Sequence, residues 1–234
     1  MADIIPAILS TSWRTIHDDL DMVAGRVHTV QIDICDGVYV HSKTWPYVTG
    51  TADINFDALL NQEVGLPHWE ELDFQFDLMV KDVLKKMPDF VSIGASSIVV
   101  HRGSISDEEL DNLLNEYGSH TPTMSDFGIR IGLAYPPEKD IALDIAQYRN
   151  RIDFVQVMGI EKIGFQGQPL SPKAIEAVRE VRSRFPDLEI SVDGGVTTEG
   201  ARALIDAGAD ALVVGSAIFG EHDSQDALNA FLKL

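Results

Sequence analysis

Cysteine is nearly absent. Cys35 is the one thiol in 234 residues, so no intrachain disulfide and no cysteine-based zinc cage can form, and a reducing compartment suits the chain. Basic residues are scarce as well: 18 Lys and Arg against 37 Asp and Glu leave a net charge of −19. That balance disfavours long-range attraction to nucleic acid or to an anionic membrane, so any phosphate must be held locally. Long apolar runs are missing too, since none approaches the roughly 18 residues of a membrane span. Met1–Ser10 has no basic flank and no small-residue cleavage site, and its early proline argues further against a signal peptide. Low-complexity tracts, tandem repeats and a visible domain boundary are all lacking. With 45% hydrophobic residues available for a core, residues 1–234 are expected to form one domain of a soluble, cytoplasmic protein.

What is present is alternation. Short apolar runs expected as strands lie at Ile4–Leu9, Thr29–Ile34, Leu72–Leu78, Ser97–His101, Gly128–Ala134, Phe154–Met158, Glu189–Asp193 and Ala211–Val214. Helical periods occupy Trp13–Ala24, Phe56–Gln62, Lys81–Gly94, Asp107–Tyr117, Ile141–Gln147, Pro172–Arg184, Thr198–Ala207 and Asp223–Leu232. Local chemistry sets several boundaries. Ser171-Pro172 supplies a cap and a first-turn proline, Thr197 or Thr198 can cap the next helix, and Gly208 follows its last apolar residues. Runs such as Ile98-Val99-Val100 suit parallel strands buried on both faces. Eight βα units favour a closed (β/α)8 TIM barrel over an open sheet. Asp36–Asn55, with Tyr39, Trp45 and Tyr47, is either a lid or an irregular connection packed by its own aromatics.

In such a barrel, polar residues at strand C-termini face the mouth. Gln31, Asp33 and Cys35 share one face of strand two, opposite Ile32 and Ile34. Asp77 follows Phe74 and Phe76 on strand three, and Asp193 follows Ile190 and Val192 on strand seven. A carboxylate in an apolar strand is costly unless compensated, so Asp33, Asp77 and Asp193 are candidates to converge; a helix cap or a loop hydrogen bond is the plainer explanation for each alone. Glycine turns follow three late strands: Gly164-Phe165-Gln166-Gly167-Gln168, Gly194-Gly195 and Gly215-Ser216. Glycine lets backbone N–H groups approach an anion, and the last two turns fall where this fold holds phosphate. His101, at the end of strand four, is read either as a sugar contact or as a histidine bonded within the barrel, and Cys35 is read as packing.

Over nearly its whole length the chain resembles the ribulose-phosphate 3-epimerase family. The resemblance rests on Pro6-Ala7-Ile8-Leu9-Ser10, Gln31-Ile32-Asp33-Ile34-Cys35-Asp36-Gly37, Asp77-Leu78-Met79-Val80, the Gly164–Gln168 loop, Val192-Asp193-Gly194-Gly195-Val196 and Gly215-Ser216-Ala217-Ile218-Phe219-Gly220. It implies a ribulose-phosphate-binding (β/α)8 barrel that interconverts ketopentose phosphates, such as ribulose 5-phosphate and xylulose 5-phosphate, and assembles as a homo-oligomer. It implies Asp33 and Asp193 as the proton-transferring pair. Ser10, Gly164, Gly167, Gln168, Gly194, Gly195, Gly215 and Ser216 would contact the substrate. The family's metal site has histidines where this chain carries Gln31 and Asp77. The remaining donors, Asp33, Asp77, Asp193 and the Gln31 amide oxygen, are all oxygen, which favours magnesium or manganese over zinc, or no metal at all. Loss of the histidines raises a second possibility, a catalytically silent sugar-phosphate-binding barrel. A third, decarboxylation or aldol cleavage, uses Asp-x-Lys-x-x-Asp; in Asp77-Leu78-Met79-Val80-Lys81-Asp82 methionine stands at the lysine position.

Overall fold

Eight strands pair in chain order and close on themselves: β1 (Asp3–Ile8), β2 (Thr29–Cys35), β3 (Asp73–Met79), β4 (Ala95–His101), β5 (Arg130–Tyr135), β6 (Phe154–Met158), β7 (Glu189–Asp193) and β8 (Ala211–Val214). Every neighbouring pair is parallel, including β1 with β8, so the expected TIM barrel is the fold. The computed structural model describes residues 2–51, 53–118, 129–138 and 141–234. The predicted start of strand five at Gly128 lies outside them.

Helices α1 (Trp13–Val23), α2 (Ile54–Leu60), α3 (Val83–Ser92), α4 (Asp107–Tyr117), α5 (Ile141–Tyr148), α6 (Pro172–Arg184) and α7 (Thr198–Ala207) cover the outside, and the one-turn α8 (Ser216–Phe219) precedes α9 (Ser224–Phe231). The helix α8 was not among the predicted elements, because four residues are too few to show a helical period. Caps explain the best-matched boundaries. Ser106 and Glu109 bond reciprocally in a capping box on α4, and Thr197 accepts from Gly200 N at the start of α7. Gly208 ends α7 with φ of 111°, a left-handed conformation that favours glycine. Ser171, expected to cap α6, makes no side-chain cap bond, and Pro172 alone marks that start.

Because residues in lateral register share a face, the pairing separates inside from outside. Asp33 pairs with Asp77, Asp77 with Val99, and Val99 with Gly132, which places one set of residues inside the barrel. The alternate set, including Ile32, Ile34, Phe76, Leu78, Ile98 and Val100, joins the helices in one large apolar core. Full burial of such side chains is worth roughly 1.5–3 kcal/mol each, so this layer holds the barrel together. The interior is far more polar, with Gln31, Asp33, Gln75, Asp77, Ser97, His101, Gln156, Ser191 and Asp193 all buried.

The connection from Asp36 to Asn55 is packed by its own aromatics, the second of the two expectations. Trp45 is buried between Trp13 and Phe56, with ring centroids 4.8 and 5.3 Å away. Thr44 Oγ1 donates to Asp33 O and accepts from Cys35 N, both at 2.8 Å, fastening the loop over the end of β2. Burial alone would raise the Asp36 carboxyl, but Lys86 and the N–H groups of Lys81, Val38 and Tyr39 outweigh it and hold it below the usual range.

Candidate active site

Asp33, Asp77 and Asp193 converge from β2, β3 and β7, each offering a carboxylate oxygen within 4.8 Å of the others. Two amides and one imidazole hold them. Gln31 Nε2 donates to Asp33 Oδ1 at 2.7 Å and to Asp193 Oδ2 at 3.1 Å. Gln156 Nε2 donates to Asp77 Oδ2 at 3.1 Å and to Asp193 Oδ2 at 3.2 Å. His101 Nε2 lies 2.8 Å from Asp77 Oδ1. His101 is therefore bonded within the barrel, the second of its two predicted readings.

The Gln31 amide turns its nitrogen to the carboxylates, while its oxygen, the atom that would ligate a metal, accepts from Gln75 Nε2 at 2.8 Å. Facing acceptors only, a donor is the stable choice. Sequence reasoning also missed Gln75 and Gln156. Their signal was the one that marks Gln31, a polar residue between apolar ones on a strand (Phe74-Gln75-Phe76, Val155-Gln156-Val157). Gln156 Oε1 is the buried side-chain polar atom without a partner among the described residues, an arrangement that costs about 1–3 kcal/mol.

Crowding controls the electrostatics. Burial, then the charge of Asp77, pushes Asp193 up to about 7, and burial together with Asp193 and Asp77 raises Asp33 well above the usual carboxylate range. Burial, with the charges of Asp33 and Asp77, also pushes the Cys35 thiol up, as expected of a packing residue.

Asp33 and Asp193 share a cleft with the glycine turns: Gly164, Gly167, Gln168, Gly194, Gly195, Gly215 and Ser216 all line it. Gly195 has φ of 69°, and a Cβ there would lie 2.7 Å from Leu170 N, so the turn needs glycine on both counts. Gln168 fastens its own loop, donating to Lys162 O at 2.6 Å and Phe165 O at 3.0 Å. Ser10 is not among the lining residues; its Oγ accepts from Ser12 N at 3.1 Å and donates to Ser12 O at 3.2 Å.

The profile of the ribulose-phosphate 3 epimerase family matches residues 3–219. The chain belongs to the ribulose-phosphate 3-epimerase family. The ribulose-phosphate 3-epimerase of Escherichia coli K12 is 30% identical over 226 residues, covering 94% of this chain and 90% of that protein. The chloroplastic ribulose-5-phosphate-3-epimerase of Arabidopsis thaliana is 28% identical over 235 residues, 97% of this chain and 75% of that protein. Membership places the chain among the isomerases, and these names support ribulose-phosphate 3-epimerase activity in general. Among solved structures, the 3-hexulose-6-phosphate synthase of Salmonella typhimurium superposes with a TM-score of 0.66 at 14% identity, covering 99% of this chain and 97% of that one, a likeness of fold alone.

The three carboxylates fit the divalent metal commonly used in the ribulose-phosphate 3-epimerase family: they are buried, close together and otherwise repulsive. Relative to that family's expected pattern, Gln31 and Asp77 replace imidazoles, so this cluster supplies oxygen donors only. His101 brings an imidazole back, but onto Asp77. No helix among the described residues is long and apolar enough to cross a membrane.

Proposed function

We propose that this protein epimerises a ketopentose phosphate at carbon 3, interconverting ribulose 5-phosphate and xylulose 5-phosphate or a close analogue. The observation that carries the reading is one cleft lined by both Asp33 and Asp193 and by all three glycine turns. A sugar phosphate seated there has its phosphate at the Gly194-Gly195 and Gly215-Ser216 turns, near backbone N–H groups, and its carbon chain at the carboxylates. One of the two aspartates removes the carbon-3 proton, and electron density moves onto the neighbouring carbonyl oxygen to give an enediolate. The other aspartate delivers a proton to the opposite face, which inverts the centre. With no cation bound, the Asp193 carboxyl is raised to about 7, a value suited to giving and taking protons near neutral pH. Gln31 and Gln156 hold the carboxylates in place between proton transfers.

Asp33, Asp77 and Asp193 would hold a divalent cation, magnesium or manganese in preference to zinc, given the oxygen-only donors. When bound, such a cation supplies positive charge that offsets carboxylate repulsion and the charge developing on the substrate's oxygens. The partner in this reading is a small sugar phosphate; by family resemblance the protein works as a homo-oligomer, and its single cysteine suits the cytoplasm. Neither nucleic acid nor membrane is a partner, given the net charge of −19.

Proton NMR of D-ribulose 5-phosphate in D₂O tests the reading, first with metal-stripped protein and then with magnesium, manganese or zinc restored. Loss of the carbon-3 proton signal together with xylulose 5-phosphate formation is expected. Substrate line broadening without exchange under every metal would overturn the epimerase and leave a silent sugar-phosphate-binding barrel.

A further inference from the structure

Behind the carboxylates, Gln31 leads into a second layer of polar residues, Gln75 and Ser97, that the reaction does not use. Gln31, Gln75 and Ser97 are lateral neighbours on β2, β3 and β4, in register and facing the interior. None is more than 4% exposed. Ser97 Oγ donates to Gln75 Oε1 at 3.2 Å, Gln75 Nε2 donates to Gln31 Oε1 at 2.8 Å, and Gln31 Nε2 ends the chain on Asp33 and Asp193.

This chain can run in either direction. Each amide carries a donor at one end and an acceptor at the other, and a hydroxyl both donates and accepts. If both amides turn over, Gln31 Nε2 donates to Gln75 Oε1, Gln75 Nε2 donates to Ser97 Oγ, and both links within the trio are kept, while the two bonds to Asp33 and Asp193 give way to the cation. The Ser97 proton then needs an acceptor. Ser97 and Gln75 line a cavity of about 250 Å³ at the N-terminal end of the barrel, bordered by the exposed Arg130–Glu189 ion pair, where solvent supplies one. An isolated buried glutamine could not turn without stranding a donor or an acceptor, at about 1–3 kcal/mol. With Gln75 and Ser97 behind it, Gln31 turns without that loss.

We propose that Gln31, Gln75 and Ser97 form a reversible amide relay, in which Gln31 offers its NH2 to the carboxylates when no cation is bound and its oxygen to a divalent cation when one is. Gln31 is then a switchable ligand, and Gln75 and Ser97 are positioning residues that make the switch neutral in hydrogen bonds. The inference rests on the reading that Asp33, Asp77 and Asp193 hold the cation. It adds what that reading lacks, a reason why a nitrogen-inward glutamine can occupy a ligand position.

The test follows the side-chain amides of glutamine-15N-labelled protein during Mg2+ titration, with Mn2+ affinity measured in parallel. On Mg2+ binding, the Gln31 NH2 protons are expected to gain nuclear Overhauser contacts to the Gln75 side chain. Metal-free Gln75→Glu, studied at a pH high enough to ionise its buried carboxyl so that it only accepts, should already place the Gln31 amide in that orientation and should bind Mn2+ about tenfold more tightly, the scale typical of residues that orient metal ligands. Mg2+ binding with an unturned Gln31 amide overturns the relay and leaves the carboxylate site standing. Absence of Mg2+ and Mn2+ binding overturns both. The wild-type titration decides the question even if Gln75→Glu does not fold.

Discussion

The two halves of the cleft are built from different materials. The carboxylate half uses side chains: three buried aspartates, two glutamine amides and one imidazole, each set by a neighbour across the barrel. The anion half uses backbone, with Gly164, Gly167, Gly194 and Gly195 all at positive φ in turns after β6 and β7, and Gly215-Ser216 leading into α8. In the proposed function, such a division would let an acidic protein bind an anion beside its own carboxylates, because peptide dipoles attract phosphate without adding a titrating group. It also separates what each half tolerates. A polar-for-polar replacement is expected to leave the carboxylate half assembled, whereas a Cβ at Gly195 meets the backbone of Leu170.

Substitutions that break one half and spare the other test this division. The largest effect is expected from Asp33→Asn and Asp193→Asn, each removing one proton-transfer group: exchange at carbon 3 should fall by about 10²–10⁴-fold, with sugar-phosphate affinity largely kept. Full exchange in both variants would remove the two-carboxylate mechanism. Gly195→Val should do the converse. Positive φ and contact with the backbone at Leu170 force the turn to move, so phosphate affinity should fall about tenfold or more, corresponding to 1–3 kcal/mol of strain, while Mn2+ affinity at the aspartates is unchanged. Loss of both affinities together would mean that the halves are not separable.

The anion half was also the more legible of the two in the sequence. Its turns are punctuated by glycine, and the flanking β7, β8, α6 and α7 have the predicted bounds because Pro172, Thr197 and Gly208 fix them chemically. Asp33, Asp77 and Asp193 were visible as charges set in apolar strands. Which residues they bond was not. That His101 reaches Asp77, or that Gln156 serves both Asp77 and Asp193, depends on the register of strands far apart in the chain, which no local pattern encodes. The Gln31 amide is tied in the same way to two further residues on two further strands, Gln75 and Ser97. Nor did the motif around Ser10 show that its hydroxyl is bonded within its own turn, to Ser12.

A smaller effect should appear in stability. Asp193 and Asp33 have carboxyl groups raised above their unfolded values near 4, so the folded chain binds more protons than the unfolded one. Their contribution is fully present below about pH 4 and is lost as pH rises through the folded value, about 7 for Asp193. The Tm of metal-stripped protein should therefore fall between pH 5 and pH 8, by an amount on the order of several degrees. Asp36, held low, is already ionised across that range and does not mask the trend. Added Mg2+ should raise Tm at pH 8 more than at pH 5, because it binds the ionised carboxylates. The double variant Asp33→Asn/Asp193→Asn should lose the Mg2+ response and the larger part of the slope, keeping the share of Asp19, whose half-buried carboxyl is pushed up to about 6. An undiminished slope in it would place the titrating groups elsewhere.

The smallest effect is expected at Gln168, where the comparison is sharpest because a polar side chain stands in the backbone half. Its amide donates to Lys162 O and Phe165 O, so its work is to hold the Gly164 loop against the cleft. Removing two such bonds in an exposed loop costs about 0.5–1.5 kcal/mol each, and Gln168→Ala should weaken sugar-phosphate binding several-fold through loosening of that loop. A loss confined to binding raises KM and leaves kcat near its original value, as for any interaction equally strong in ground and transition states. Were kcat to collapse with KM unchanged, Gln168 would have to touch the reacting atoms, and the line between the two halves would run through this loop instead of beside it.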